Sequence, residues 1–509
     1  MISSQKESKL SQVALATSPS VEDLLELHEL EYTPDGESIR WSVSNKRHPR
    51  NWSTCRKTYD IGLVIFLDFF TTAISTAGSS VAERARHELG LGKALSVFLF
   101  VSVYLLGQMV GGIMFPPYSE AFGRKKLYIV STGLYGGFCA LTGAVSSPAS
   151  IVIGRFVCGL LSAIPTIVVA GSIEDMFNEK GRTWLIFIWT VLANLGLTVG
   201  PMIGILIIVN LTWQWVFYIA AIVMALTMLL LLGIRESRPS LLLDREVRSL
   251  QLQTGDRSLR ALNPDHTPDL RTFVQVGLFR PLRLFFTEPI VFMVSTISAF
   301  ATGLIYLFTE ALPPIYESMG FSTTLSSLSL AALAIGLPLG IFTRIRDHRM
   351  LARRKQRGEA AEPEHKILGF CIAAPALAAG LWWFTWTIPP AVTGIHWIVP
   401  SLALVFVGYA VNEFDTVLTG YLADSYLSYS ASGFAALSIL RSLLSAVFPM
   451  AATTLFDGLG ANGGCLVLAV LATLFCAVPP LFAVFGKRIR MRSEFARFSL
   501  TVYKENGVD

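Results

Sequence analysis

Long apolar runs alternate with short polar segments along the chain. A helix needs about 20 mostly apolar residues to cross the hydrocarbon core of a bilayer. Twelve runs approach or reach that length, near residues 59–79, 95–117, 127–146, 150–172, 184–208, 214–234, 288–311, 326–345, 366–388, 396–420, 432–456 and 464–485. They form two groups of six, spans 1–6 and spans 7–12. Between the groups lies a charged segment, 235–287, with Arg235, Glu236, Asp244, Arg245, Glu246 and Arg248 and the turn signal Asn263-Pro264-Asp265. The pattern predicts an all-α integral membrane protein of two pseudo-symmetric six-helix bundles, 59–234 and 288–485. A cytoplasmic linker joins them, and tails 1–58 and 486–509 flank them. Equal halves with an even number of spans are the outline of a transporter built from repeats, with its site near mid-membrane. Val21–Leu27 has the spacing of a short amphipathic helix, but the expectation for this segment is a solvated tail.

The short loops orient the spans. Arg124, Lys125 and Lys126 follow span 2, Lys180 and Arg182 follow span 4, and Arg344, Arg346, Arg349, Arg353, Arg354, Lys355 and Arg357 follow span 8. All three loops share a side with both termini and the linker, whereas the opposite loops hold little beyond Arg84, Arg86 and Lys93. Basic loops mark the cytoplasmic side, so both ends are expected there. Composition sharpens the class. The 509 residues are 52% hydrophobic and 15% charged, against about 25% charged in an ordinary soluble protein, which excludes a soluble enzyme and a disordered adaptor. The net charge of +5 is dispersed between apolar runs, and no nucleic-acid partner is expected. Cys139, Cys158, Cys371 and Cys476 lie inside apolar runs, where cysteine behaves as a small hydrophobe. The acidic, polar start of the chain is not the pattern of a secretory signal.

Two local patterns carry more information. After span 2 the chain reads Pro117-Tyr118-Ser119-Glu120-Ala121-Phe122-Gly123-Arg124-Lys125-Lys126, a tight turn with a carboxylate beside a basic cluster. Span 5 contains Gly196-Leu197-Thr198-Val199-Gly200-Pro201-Met202-Ile203-Gly204. Glycines four apart let helix backbones approach closely, and proline bends a helix where it removes a donor. These stretches resemble signature motifs of the major facilitator superfamily, and Gly196 to Gly204 is similar to its antiporter motif. Arg155-Phe156-Val157-Cys158-Gly159 on span 4 resembles the arginine–glycine signature of proton-coupled members. His48-Pro49-Arg50-Asn51-Trp52, Trp213-Gln214-Trp215-Val216-Phe217, Glu288-Pro289-Ile290-Val291, His396-Trp397-Ile398-Val399-Pro400 and Tyr421-Leu422-Ala423-Asp424-Ser425-Tyr426 resemble the fungal twelve-span drug:proton antiporter family in particular. The resemblance runs from about 48 to 497. Pro116, Glu120, Gln214 and Gly463-Gly464 depart from the family's usual residues.

Charged residues inside spans are costly and mark function by default. Asp68, in mid-span 1, is the expected proton-linked carboxylate, because a carboxylate isolated among apolar residues is poorly solvated when charged. Arg155 in outer span 4 and Arg441 in span 11 are expected to tune it, and the resemblance implies proton handling for Arg155. Span 10 carries Asn412, Glu413 and Asp415. The two carboxylates are two positions apart and point to different faces, so at most one reaches a central cavity, and Glu413 is taken as the proton-coupling or substrate-binding candidate. Glu310 near the outer end of span 7 is expected to be an exposed rim carboxylate. Gln108, Asn194 and Tyr306 can give neutral hydrogen bonds in the cavity, and Trp382, Trp383 and Trp386 suit an interfacial belt. The resemblance implies a gate made by Glu120, Gly123, Arg124 and Asp175, in which Arg124 pairs with Asp175, and a moving helix contact at Gly196, Gly200, Pro201 and Gly204.

The function expected from all this is proton-coupled antiport exporting a drug, toxin or secondary metabolite by alternating access. The alternative is proton-coupled or facilitated uptake of a nutrient or polyamine. No cofactor or metal is expected, only the proton as coupling ion. The partners expected are a small-molecule substrate and the lipid bilayer. A monomer in the plasma membrane completes the reading. A membrane-embedded enzyme would need a convergent nucleophile and base or a metal cluster, and His365 and His396 lie at opposite ends of spans.

Overall fold

A computed structural model describes residues 21–33, 36–262, 279–357, 363–426 and 430–493; the side chains of Glu120, Lys180 and Asp424 and the Asn263-Pro264-Asp265 turn lie outside the described set. Among the described residues, eleven helical runs are long and apolar enough to cross a membrane. Spans 1–6 are Thr54–Leu89, Lys93–Ser119, Lys125–Ala144, Pro148–Met176, Gly181–Asn210 and Gln214–Leu231, and spans 7–10 are Pro289–Ser318, Thr323–Arg354, Leu368–Thr387 and Ile398–Leu422. The eleventh run, Gly433–Arg492, is 60 residues long and holds two crossings. They divide at Gly460, whose φ of 72° and ψ of 173° interrupt the helix Ser430–Phe475; a side chain there would strain the backbone. Spans 11 and 12 lie on either side of it.

Local signals set the helix ends. Ser147 accepts from the Ser150 backbone N–H at 3.2 Å and Pro148 occupies the first turn of span 4, the usual capping chemistry. Gly90 closes span 1 in the left-handed conformation, φ 63°. Span 1 therefore runs well past the expected residue 79. Its polar end is tied down by Glu88, whose carboxylate accepts from Trp213 Nε1 at 2.7 Å.

The halves repeat one packing scheme. Span 1 packs on span 5, span 2 on span 4 and span 3 on span 6; in the second half span 7 packs on span 11 and span 8 on span 10. On span 5, a Cβ on Gly196 would overlap Phe69 O and Thr72 of span 1, and one on Gly200 would overlap Ala73 O and Thr76. The antiporter-like stretch thus works here as a close helix seam. The Pro201 carbonyl accepts from Ser80 Oγ of span 1 at 3.0 Å.

Two π-helical turns interrupt the helical ladder, Phe98–Ser102 in span 2 and Ile164–Val168 in span 4. Such bulges free carbonyls and turn side chains out of register, often at functional sites.

The tail is not simply solvated. The helix Val21–Leu27 and a hairpin of β1 (Leu30–Tyr32) and β2 (Ile39–Trp41) pack against the linker helix Pro239–Thr254. Leu24, Leu25, Leu30 and Ile39 share a small apolar core with Leu243, Val247, Leu250 and Leu259. Trp41 Nε1 donates to Pro239 O at 3.1 Å, and Glu246 pairs with Arg47 and lies 3.4 Å from His28 Nδ1. The apolar spacing of Val21–Leu27 finds its partner more than two hundred residues away, which no local pattern could reveal. His48, at the start of the turn Pro49–Asn51, accepts from the Arg50 N–H through Nδ1. Burial, reinforced by Arg50 and Lys57, pushes its imidazole down from 6.5 to about 4.

Candidate transport site

Asp68 is fully buried at the middle of span 1. Its Oδ1 accepts from Thr166 Oγ1 at 2.8 Å and its Oδ2 from Trp189 Nε1 at 2.6 Å. Thr166 stands in the π-helical turn of span 4, and Trp189 comes from span 5. Thr166 also has Ser162 O within 2.9 Å and receives Gln108 Nε2 at 3.4 Å. Among the described residues, no lysine or arginine forms an ion pair with Asp68. Its two side-chain hydrogen-bond partners are neutral donors.

Thr166 and Trp189 also line a small cavity of about 30 Å³ between the halves, together with Asp415, Ser438 and Arg441. That is enough for one or two waters, each of which needs about 10–15 Å³ on this measure. Around this cavity the halves meet through polar pairs. Thr190 and Thr416 hydroxyls are 2.9 Å apart, Asn194 Nδ2 donates to Asn412 Oδ1 at 3.2 Å, and Ser75 and Tyr306 hydroxyls are 2.7 Å apart. Ser102 Oγ donates to Ala446 O at 2.6 Å. Three neutral residues named from sequence, Gln108, Asn194 and Tyr306, thus lie at the centre or at the seam.

The charged candidates sort differently from expectation. Arg155 does not reach Asp68. Its guanidinium donates to Phe100 O at 2.7 Å, Ser75 O at 3.0 Å and Ile74 O at 3.3 Å, and lies 4.5 Å from the Tyr104 ring centre. Phe100 O belongs to the π-helical turn of span 2, so Arg155 ties spans 1, 2 and 4 together through carbonyls. Arg441 pairs with Asp415 at 3.2 Å, and Ser298 Oγ approaches the same carboxylate at 3.5 Å.

Glu413 is not at the centre. It faces Arg344 at 2.6 Å and Thr343 Oγ1 at 2.9 Å, with Gly340 and Gly369 leaving room for its carboxylate. Asp347 joins Arg344 at 3.2 Å. The two-residue offset of Glu413 and Asp415 does send them to different faces, and it is Asp415 that reaches the cavity.

In the first half, Arg124 Nε lies 3.0 Å from Asp175 Oδ2, and its Nη1 donates to Val168 O at 2.9 Å. Arg238 adds a second cation 3.6 Å from Asp175, and Glu236 accepts the backbone N–H groups of Arg124 and Lys125 at 2.9–3.1 Å. Gly123, φ 90°, makes the turn that presents these amides. The cluster joins the ends of spans 2 and 4 to the linker, all within one half. Among the described residues, its ion pairs stay within that half.

Sequence reasoning missed Thr166, Trp189, Glu236, Arg238, Arg344 as an ionic partner, and Asp347. The first two look like ordinary helix residues. Of the others, only the basic residues beside span ends carry a signal in the sequence, and that signal reports topology. Glu310 is half-buried, with an Oε1 that has no partner, instead of a freely exposed rim group. Trp383 and Trp386 are exposed on the outer surface of span 9, whereas Trp382 donates to Thr473 Oγ1 at 3.0 Å.

The Major Facilitator Superfamily family model matches residues 61–449. The chain is 30% identical over 456 residues to the multidrug transporter TPO1_2 of Candida glabrata, covering 88% of this chain and 78% of that one. It is 29% identical over 455 residues to the efflux pump radE of Floropilus chiversii, covering 88% and 84%. Among solved structures, the proton:xylose symporter XylE superposes with a TM-score of 0.61 at 16% identity, covering 86% of this chain and 97% of that one, a likeness of fold. The chain therefore belongs to the Major Facilitator Superfamily, in its fungal drug-antiporter branch, and is a multi-pass membrane transport protein.

Proposed function

We propose that the chain is a proton-coupled antiporter that exports small organic molecules across the plasma membrane by alternating access, with both termini cytoplasmic. The observation that carries this reading is Asp68, a fully buried carboxylate at the seam of the halves whose two partners are neutral donors. A buried charge without a cationic partner is costly, and holding a proton removes that cost. The relatives named as a multidrug transporter and an efflux pump support export of small molecules.

The hydrogen bonds suit a group that works in both protonation states. When Asp68 is charged, the Thr166 hydroxyl donates to Oδ1. When Asp68 is protonated, its own O–H can donate to Thr166 Oγ1, and the threonine proton turns to Ser162 O, 2.9 Å away. Trp189 Nε1–H can only donate, so it holds the second oxygen in place throughout. Substrate groups with positive charge or strong donors would compete with the proton for the same carboxylate. The neutral pairs Thr190–Thr416 and Asn194–Asn412 can part as the halves rock, because exchanging them for water costs little.

The test is transport in vesicles under a pH gradient, with tetraphenylphosphonium as the probe. Wild-type protein should accumulate the probe in the acid compartment, and Asp68→Asn should fold yet fall to background. Undiminished pH-driven accumulation by Asp68→Asn would remove this residue from the mechanism, and equilibration of the probe without accumulation, with or without the gradient, would favour facilitated movement.

A further inference from the structure

A second cavity lies between the halves on the face opposite the basic loops. It measures about 370 Å³, within the size range of small-molecule sites. Lys93, at the start of span 2, comes from the first half; Glu310, Pro314, Phe456 and Asp457 come from the second. Glu310 Oε1 is shielded from solvent and has no hydrogen-bond partner. Lys93 lines the same space without forming an ion pair with it. A shielded carboxylate oxygen with no donor is an unusual and costly arrangement.

Span 7 connects this cavity to the centre. Ser298, Thr302, Tyr306 and Glu310 recur every fourth residue and so share one face of the helix. Ser298 touches Asp415, Thr302 Oγ1 donates to Ser298 O at 3.0 Å, and Tyr306 closes against Ser75 across the seam. Glu310 stands one turn beyond that closure, about 6 Å along the helix axis.

The geometry points to a release-side binding site for an organic cation, in which Glu310 receives the positive group of a lipophilic ammonium or phosphonium ion as it leaves the centre. Two carboxylates, Glu310 and Asp457, face a single ammonium, Lys93. The Phe456 ring and Pro314 give apolar walls, and an aromatic face favours a cation. An anion of the same shape would meet net negative charge. The site deepens the export reading and rests on it for the direction of passage.

The experiment separates the two. Ser318 lines the cavity on an exposed helix end. Full-length protein carrying Ser318→Cys, with the exposed Cys55 changed to serine, is placed in lipid nanodiscs. Its labelling by a membrane-impermeant thiol reagent is followed with tetraphenylphosphonium or with the equally shaped anion tetraphenylborate. The cation should slow labelling and the anion should not. Glu310→Gln should raise the cation concentration needed for protection about tenfold, the scale of one partly desolvated charge contact, and Lys93→Met should lower it. Both variants are checked first for unchanged thermal melting, and either alone decides the question. Equal protection by both ions, or protection unaffected by either substitution, would overturn the site. Protection without tetraphenylphosphonium export from cells would leave the site standing and overturn the export reading.

Discussion

The two halves share a packing scheme but distribute charge in opposite ways. At the centre, the first half buries Asp68 against a hydroxyl and an indole, whereas the second buries Asp415 against Arg441. At the ends of the spans that carry the basic loops, the first half surrounds Asp175 with two cations, Arg124 and Arg238, and the second surrounds one cation, Arg344, with Glu413 and Asp347. A carboxylate already paired with arginine gains little from a proton. One held only by neutral donors can exchange it. The fold repeats, and on the proposed function the difference between the repeats puts the exchangeable proton in the first half.

Breaking the pairs should show this asymmetry. The largest effect on stability is expected at the centre of the second half. Arg441→Leu leaves Asp415 buried without its cation and should cost about 3–5 kcal/mol, read as a fall in melting temperature of the purified protein. Asp68→Asn removes no ion pair and should melt close to wild type. Combining Arg441→Leu with Asp415→Asn should recover most of the loss.

The clusters at the basic-loop ends give the next contrast. Arg344→Ala strands two carboxylates and should again cost about 3–5 kcal/mol. Arg124→Ala leaves Asp175 beside Arg238 and should cost roughly half as much, within the range for a lost charged hydrogen bond. Equal losses would mean that Arg238 contributes nothing at its 3.6 Å separation.

What the sequence made legible follows from which interactions are local. Apolar runs state the spans directly, and Asp68 stands out because its neighbours in the chain are apolar. The packing of Gly196 and Gly200 could be anticipated because small residues at helical spacing have few other uses. Partners are another matter. Thr166 and Trp189 lie 98 and 121 positions from Asp68, and neither residue type signals a donor to a carboxylate. Glu413 and Asp415 look interchangeable in a helix, and only the packing of span 8 against span 10 decides which finds Arg344. Glu236 and Arg238 sit in a charge-rich segment that reads as solvated, so their place beside Arg124 and Asp175 was hidden.

Smaller effects are expected in the unit formed by the tail and the linker helix, which has no counterpart among the described residues of the second half. Leu25→Asp places a charge in the small core shared with the linker helix and should lose about 2 kcal/mol of docking, the scale of one buried leucine. The readout is faster proteolytic nicking of the tail, with the spans still intact. A pH effect is also expected on the same region. The His48 imidazole binds protons less readily folded, near pH 4, than unfolded, near 6.5. Its contribution is therefore present above about pH 6.5 and lost progressively as pH falls toward 4. Hydrogen exchange across residues 45–53 should rise over that window, and His48→Asn, which keeps an acceptor, should flatten the rise.

The most direct test of the asymmetry is infrared difference spectroscopy of the protein during a pH jump, reading the C=O band of a protonated carboxyl group. The account requires a band that Asp68→Asn abolishes and that Asp415→Asn leaves in place. A band that survives in Asp68→Asn and disappears in Asp415→Asn would put the proton on the second half and contradict it.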